Sequence, residues 1–360
     1  MGETIMMKTL KEFYANKKVL ITGHTGFKGS WLVSWLNSMG AQVAGFALPP
    51  LQKDDHFNLL QLDKRISHVI GDIRDYDAIK KVFASFQPDI VFHLAAQALV
   101  RRSYNEPKLT FDTNIGGAVN VLEAIRMTPS VRSAVYITSD KCYSNREWVW
   151  GYRENDILGG EDPYSASKAA AEVVFHAYTA SYFSARRDMG IASARAGNVI
   201  GGGDWSADRV VPDTIRSLRD NKQVILRNPD STRPWQHVLE PLSGYLLLAY
   251  KLFANPKEYS NSYNFGPRVE SIKTVKELAG KIVRTWGTGE IIIEPQPNAP
   301  HECGLLHLNC DKAHQELGWN PRWGFEKGVE KTVEWYRQVV SGIPAETVTA
   351  SHIQQYMEHA

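Results

Sequence analysis

Val19-Leu-Ile-Thr22-Gly23-His-Thr-Gly26-Phe-Lys-Gly29-Ser-Trp31 joins an apolar run to a glycine-punctuated turn and then to a helix. Val19–Thr22 reads as a buried strand. Beyond it Trp31, Leu32, Trp35, Leu36 and Met39 recur at helical spacing and mark one buried face. Gly23, Gly26 and Gly29 stand between them in a Gly-x-x-Gly-x-x-Gly pattern. Glycines in that place permit a tight turn and bring backbone close to a pyrophosphate, whose charge then meets the helix N-terminus. An ordinary βα turn can carry the same glycines. The place of the motif, in the first unit of an alternating chain, favours dinucleotide binding.

The alternation continues outward. Gln42–Ala47, His68–Gly71, Asp89–Leu94, Ala134–Thr138 and Ile191–Arg195 read as further strands. Helical patterns fall between them: Ile79, Val82, Phe83 and Phe86 with Asp75 or Asp77 as N-cap, then Asn114–Arg126, then a long helix from Tyr164 to Arg187. Such a chain specifies a doubly wound α/β fold, a parallel sheet covered by helices on both faces. After Gly197 the pattern breaks at Gly201-Gly-Gly203, Pro212, Pro229, Pro234 and Pro241, so Val199–Pro241 reads as loops and short elements. Asn261–Phe265 can return to the sheet as a last strand, and Phe325–Val340 reads as an amphipathic helix of a smaller lobe. The division expected is residues 1–198 with 235–266 for the dinucleotide domain, and 199–234 with 267–360 for the lobe.

Composition excludes several classes. Lys plus Arg number 41 against 39 Asp plus Glu, and the basic residues form isolated pairs such as Arg101-Arg102, not a stripe. No nucleic-acid partner is expected. Residues 29–52 are uncharged and long enough to span a bilayer. Asn37, Ser38, Gly40 and Gln42 interrupt them and Pro49-Pro50 close them, so a helix, a turn and a strand explain the stretch and no membrane partner is expected. The N-terminal residues lack the apolar core of a secretory signal. Cys142, Cys303 and Cys310 cannot form a complete disulfide set. A reduced, cytoplasmic setting is the simpler reading. His301, Cys303, His307 and Cys310 fit no standard zinc spacing, and no metal is expected.

Cofactor choice turns on the end of the second strand. Gly45-Phe-Ala-Leu-Pro-Pro50 carries neither an acid for the ribose hydroxyls nor an Arg for a 2′-phosphate. NAD is expected over NADP because no basic residue is positioned for that phosphate. Asp72, after the third strand, is placed to accept from the adenine amino group.

Tyr164-Ser-Ala-Ser-Lys168 puts a phenol and an amine on one helix face. A phenol of reference pKa ~10 needs about 4 kcal/mol of stabilisation to act as a phenolate base at neutral pH. A neighbouring ammonium and an oxidised nicotinamide can supply much of it. The same spacing also occurs on solvated helices. Ser139, Asp140 and Lys141 follow the fifth strand, where a parallel sheet holds ligands, and suit acid–base work there, although a surface turn with a local ion pair would look alike.

Taken in order, Gly23-x-x-Gly26-Phe-x-Gly29, Leu94-Ala-Ala-Gln97, Thr138-Ser-Asp140, Tyr164-x-x-x-Lys168 and Arg195-Ala-Gly-Asn198 resemble motifs of the extended short-chain dehydrogenase/reductase family. Nucleotide-sugar epimerases and dehydratases belong to it, and the resemblance runs on through Leu317-Gly-Trp319. Phe27-Lys-Gly-Ser-Trp31, Gly203-Asp-Trp205 with Asp208-Arg209, and Arg233-Pro-Trp-Gln-His237 look most like the branch of 4,6-dehydratases that takes CDP-glucose. The resemblance implies an NAD site lined by Gly23, Thr25, Gly26, Phe27, Gly29, Asp72, Ile73, Leu94, Ala95, Ala96, Asn114, Thr138, Tyr164 and Lys168. It implies sugar-nucleotide contacts from Gln97, Arg101, Ser139, Arg195, Asn198, Asp208, Arg209, Arg233 and Trp235, with Trp205 as a further packing surface.

In that family Tyr164 would take the proton of the sugar 4-hydroxyl while C4 passes hydride to NAD, assisted by Ser139 and Lys168. Asp140 would protonate the departing 6-hydroxyl. Many relatives have Asp-Glu where this chain has Asp140-Lys141. Lys141 then acts either as a base of lowered pKa or as a charge that stabilises the enolate. The helices from Asn114 and Tyr164 resemble a dimer-forming pair, so a homodimer or a dimer of dimers is implied, as is a product destined for the O-antigen of lipopolysaccharide. A nucleotide-sugar 4-epimerase shares Ser, Tyr and Lys but needs no acid at C6. A dinucleotide-sensing scaffold would need none of these groups.

Overall fold

β1 (Lys18–Thr22), β2 (Gln42–Ala47), β3 (Ser67–Ile70), β4 (Ile90–His93), β5 (Ser133–Ile137), β6 (Gly190–Ala196) and β7 (Ser262–Phe265) form one seven-stranded sheet in the computed structural model. The structure describes residues 2–294 and 304–358. Every neighbouring pair is parallel, in the order β3-β2-β1-β4-β5-β6-β7. This is the doubly wound arrangement, and Asn261–Phe265 does return as the strand beside β6.

The strands read as unbroken apolar runs because both faces are covered. Val19 and Ile21 of β1 enter one core while Leu20 enters the other; Ile90 and Phe92 of β4 oppose Val91 in the same way. The first core is closed by α1 (Gly2–Tyr14), α2 (Phe27–Ser38) and a helix at Leu239–Ala254. The second is closed by α3 (Tyr76–Phe86), α4 (Ala118–Arg126) and α5 (Pro163–Tyr178). Asp75, not Asp77, caps α3, its carboxylate accepting from the Ala78 amide at 3.0 Å. The helix begun at Pro163 stops short of Arg187, widening into a π-turn over Thr179–Phe183.

Residues 29–52 are the body of α2, a turn and β2, and no helix among the described residues is long and apolar enough to cross a membrane. The segment 199–241 holds more regular structure than its prolines imply. It contains α6 (Val210–Arg219) and the start of α7 (Leu239–Ala254). Pro212 and Pro241 lie in the first turns of these helices, where a missing N–H is tolerated. α8 (Val275–Trp286) begins with a capping box between Thr274 and Glu277. α9 (Phe325–Val340) and α10 (Ala345–Glu358) complete the chain. α10 packs back on α2: Trp35 meets Tyr356 edge-on at 5.5 Å, and His56 bridges Ser30 (2.8 Å) to Thr349 (3.0 Å).

Candidate active site

The strand order reverses between β1 and β4, and the loops leaving these two strands meet there. Gly23 has φ +78°, and a Cβ on it would lie 2.6 Å from the Ala95 nitrogen. Only glycine allows this approach. A Cβ on Gly29 would overlap the Gly23 carbonyl oxygen outright. Gly26 is the N-cap of α2 and contributes no side-chain cap, so the first amides of that helix are open to a phosphate. The loop therefore fits a dinucleotide pyrophosphate. Leu94, Ala95 and Ala96 are half-buried along the facing loop, and the Leu94 amide donates to Thr22 O at 3.0 Å.

On the adenosine side Thr25 donates to Leu48 O at 2.8 Å. Asp72 is half-exposed and holds Arg74 through Nε (2.9 Å) and Nη2 (2.6 Å), an ion pair that keeps its carboxyl below the usual range. Ile73 is buried against Gly117. His24 and His68 share a 2.6 Å hydrogen bond below the loop.

The second half of the site sits at the end of β5. Ser139 caps a short 3₁₀ turn, Asp140–Cys142; its hydroxyl accepts from the Lys141 amide at 3.2 Å and donates to Asp140 Oδ1 at 2.9 Å. Asp140 is 2% exposed, and its Oδ2 has no hydrogen-bond partner among the described residues. Burial pushes its carboxyl pKa upward, opposed by Lys141, the Ser139 hydroxyl, Lys28 and Arg233. α5 brings up the phenol and the amine. Asp162 caps that helix through the Ser165 amide at 2.9 Å, and Pro163 occupies its first turn. Tyr164 and Lys168 are both buried, with the ammonium 5.9 Å from the phenol ring centroid. Burial pushes Tyr164 up to about 12 and lowers Lys168 to about 8, while Ser139 pulls the phenol back down.

Cations converge on this pair. Arg209 acts on Tyr164 and Lys28, and Arg233, itself buried, acts on Asp140. Asn198 is half-buried beside Gly197, whose Cβ position lies 2.9 Å from Asp140 Oδ2. Lys28 was quoted in the sequence motif without a role. The structure turns it into the site: its ammonium lies 6.0 Å from the Tyr245 ring, and burial lowers it to about 8 against the pull of Asp140. Tyr245 is fully buried behind Asp140 and Tyr164, with a hydroxyl that has no hydrogen-bond partner among the described residues. No sequence signal marks it, because α7 reads as an apolar helix throughout.

Several residues expected to touch substrate or cofactor have protein partners. Arg195 forms a buried ion pair with Glu172 at 2.7 Å and donates to the Tyr143 hydroxyl at 2.8 Å. Trp235 is core, its indole donating to Lys273 O at 2.9 Å, and Trp205 packs edge-on against Tyr336 at 5.1 Å. Gln97 folds its own loop, bonding Leu99 N (2.7 Å), Leu99 O (3.1 Å) and Thr110 (2.9 Å). Asn114 locks that loop to α5, accepting from Gln97 N at 2.8 Å and donating to the Ser167 hydroxyl at 2.9 Å. Asp208 is exposed and pairs with Arg227 at 3.0 Å and Arg101 at 3.5 Å. Thr138 gives its hydroxyl to Glu172. His301 and Cys303 lie outside the described residues; among those described, no cluster of metal-ligating side chains occurs.

A family model described as GDP-mannose 4,6 dehydratase matches residues 20–332. CDP-glucose 4,6-dehydratase of Salmonella typhimurium is 48% identical over 351 residues, spanning 96% of this chain and 98% of the relative. UDP-glucose 4-epimerase of Mycolicibacterium smegmatis is 27% identical over 327 residues, 89% of this chain and 98% of that one. Among solved structures, UDP-glucose 4-epimerase of Thermus thermophilus, in complex with NAD, superposes with a TM-score of 0.76 at 26% identity, over 89% of this chain and 99% of that one. With a match across most of its length and a near-half-identical relative, the chain belongs to the GDP-mannose 4,6 dehydratase family.

Proposed function

We propose that the protein is an NAD-dependent hydro-lyase converting CDP-D-glucose to CDP-4-dehydro-6-deoxy-D-glucose. The observation that carries this reading is the Asp140–Lys141 turn beside Tyr164: a buried carboxyl with raised pKa and one unengaged oxygen, which a 4-epimerase has no use for. CDP as the nucleotide follows the Salmonella typhimurium relative.

The glycine loop Gly23–Gly29 holds the pyrophosphate, with Thr25, Asp72 and Ile73 toward the adenosine and Ala95 and Ala96 toward the other end. Bound NAD supplies a reversible two-electron acceptor, so no net redox change accompanies a turnover. Tyr164 takes the proton of the sugar 4-hydroxyl. At a pKa of about 12 its ionisation at pH 7 costs about 7 kcal/mol, which Lys168, Ser139 and the positive surroundings offset. A ketone at C4 acidifies the C5 proton. Lys141, half-buried one residue from the acid, acts on that proton or on the enolate charge it leaves. Asp140 then gives its proton to the 6-hydroxyl, which departs as water. Arg209, Arg233 and Asn198 hold the diphosphate and sugar, Arg being suited to two phosphate oxygens at once. The dinucleotide domain is residues 1–198 with 235–266, and 199–234 with 267–360 supply the sugar-nucleotide side. Exposed Val173 and Tyr182 on and just after α5 support a homodimer through that helix. The product suits O-antigen assembly.

Incubation of the purified protein with NAD and CDP-glucose in deuterated water tests the reaction. A 4-ketone lighter by one water, labelled at C5 or C6, is expected. A C4 epimer without water loss overturns the reading, and preference for a dTDP-, UDP- or GDP-sugar overturns the nucleotide.

A further inference from the structure

α5 carries a third ionisable residue on its active face. Glu172 follows Lys168 by four positions and Tyr164 by eight, so the three side chains form one stripe. The carboxylate is 1% exposed. One oxygen accepts from the Thr138 hydroxyl; the other accepts from Ser193 Oγ at 2.9 Å and from Arg195 Nη2 at 2.7 Å. Arg195 continues the chain to the Tyr143 hydroxyl at 2.8 Å, and Tyr143 donates to Asn264 at 2.7 Å. The network therefore joins α5 to β5, β6, β7 and the segment after the Asp140 turn.

A buried charge of this kind is costly unless paired, and a hydrophobic substitute often packs as well. Stability alone is then a weak reason for its presence. Its placement offers a better one. Thr138 is the residue immediately before Ser139, and its backbone amide is held by Ala194 O at 2.9 Å. With the hydroxyl held by Glu172 as well, both the main chain and the side chain of Thr138 are pinned. Everything that follows, Ser139 and then Asp140, leaves from that anchored point toward the phenol on the same helix.

Resting on the dehydratase reading above, we propose that Glu172 is a positioning residue, which through the Thr138 hydroxyl fixes the Ser139–Asp140 turn against Tyr164 and Lys168. Its charge is held in place by Arg195. Misplacement of reacting groups by about 1 Å is worth about 100-fold in rate, and loss of groups that orient primary ligands typically costs about 10–100-fold.

The test compares Thr138→Val with Thr138→Ser. Valine keeps the shape and loses the hydroxyl; serine keeps the hydroxyl and loses the methyl. Thr138→Val should lower kcat for 4-keto-sugar formation at least about tenfold with KM for the nucleotide sugar within about twofold, whereas Thr138→Ser should stay within about threefold of the parent. A role in packing alone gives the opposite ranking. Glu172→Asp, which keeps a counter-charge for Arg195 but withdraws it from Thr138, should match the valine variant and serves if that variant does not fold. A folded Thr138→Val or Glu172→Asp protein with a smaller loss, or with the loss confined to KM, overturns the proposal. Absence of keto sugar from the parent protein instead overturns the dehydratase reading.

Discussion

Asp140→Asn isolates the acid from the rest of the site. The amide has the size of the carboxylic acid, so the close approach to Gly197, where an added Cβ would stand only 2.9 Å from Oδ2, is unchanged. Ser139 still finds an acceptor at Oδ1, where it now donates at 2.9 Å. The proton deliverable to the 6-hydroxyl is lost. General acid catalysis contributes about 10²–10⁴-fold, so elimination should slow by that factor, about 3–5 kcal/mol of barrier. Oxidation at C4 depends on Tyr164 and Lys168 and should proceed within about threefold of the parent rate. Rapid mixing with substrate, followed by absorbance of the reduced nicotinamide, separates the steps. The variant should accumulate reduced cofactor in proportion to enzyme, and product analysis should find little 6-deoxy sugar. If the variant releases that sugar at the parent rate, or if C4 oxidation collapses equally, Asp140 is not the acid.

Lys141→Met should also permit C4 oxidation and block elimination; normal dehydration by this variant, read by mass, removes Lys141 from the chemistry. Gly23→Ala places a side chain at φ +78° and 2.6 Å from the Ala95 nitrogen. The left-handed strain alone is about 1–2 kcal/mol, and with the backbone clash NAD affinity should fall at least about tenfold; a calorimetric titration that finds the parent affinity contradicts the cradle. His56 is buried, and burial lowers its pKa from 6.5 to about 3. The unfolded chain therefore binds the extra proton first, and stability is lost as pH falls from 6.5 toward 3, by about 2 kcal/mol at pH 5. Melting temperature should fall between pH 7 and pH 5, less steeply in His56→Gln; equal slopes would show that the imidazole does not titrate with unfolding.

How far the fold was legible follows from where each signal lies. β1, the glycine loop and α2 are contiguous, and their apolar periods and punctuation are local, so the dinucleotide half could be read residue by residue. α1 and α10 were not foreseen. Their purpose becomes visible only when Tyr14 donates to Leu246 O at 2.8 Å and Tyr356 to Glu240 at 2.8 Å, contacts spanning 232 and 116 residues. The site shows the same division. Tyr164 and Lys168 could be paired because one helical turn separates them, whereas Lys28 reaches Asp140 only because the β1 and β5 loops open at one end of the sheet.

Arg195 is the more instructive case. Arg195 lies near the end of β6, three residues before Asn198, and an arginine there is chemically suited to a diphosphate. What decides its use is the anion available inside the protein. Glu172 already sits within 2.7 Å, and burial of both side chains, 4% and 1% exposed, forbids separating them without leaving a bare charge. Arg209, 36% exposed and paired with Asp204 at 3.1 Å, acts on Tyr164, and Arg233 acts on Asp140, so the charges of both bear on the site. Residue type thus names the candidates for anion binding. Which of them is free to bind depends on a partner that the strand itself does not contain, and here that partner lies on the helix that also carries Tyr164 and Lys168.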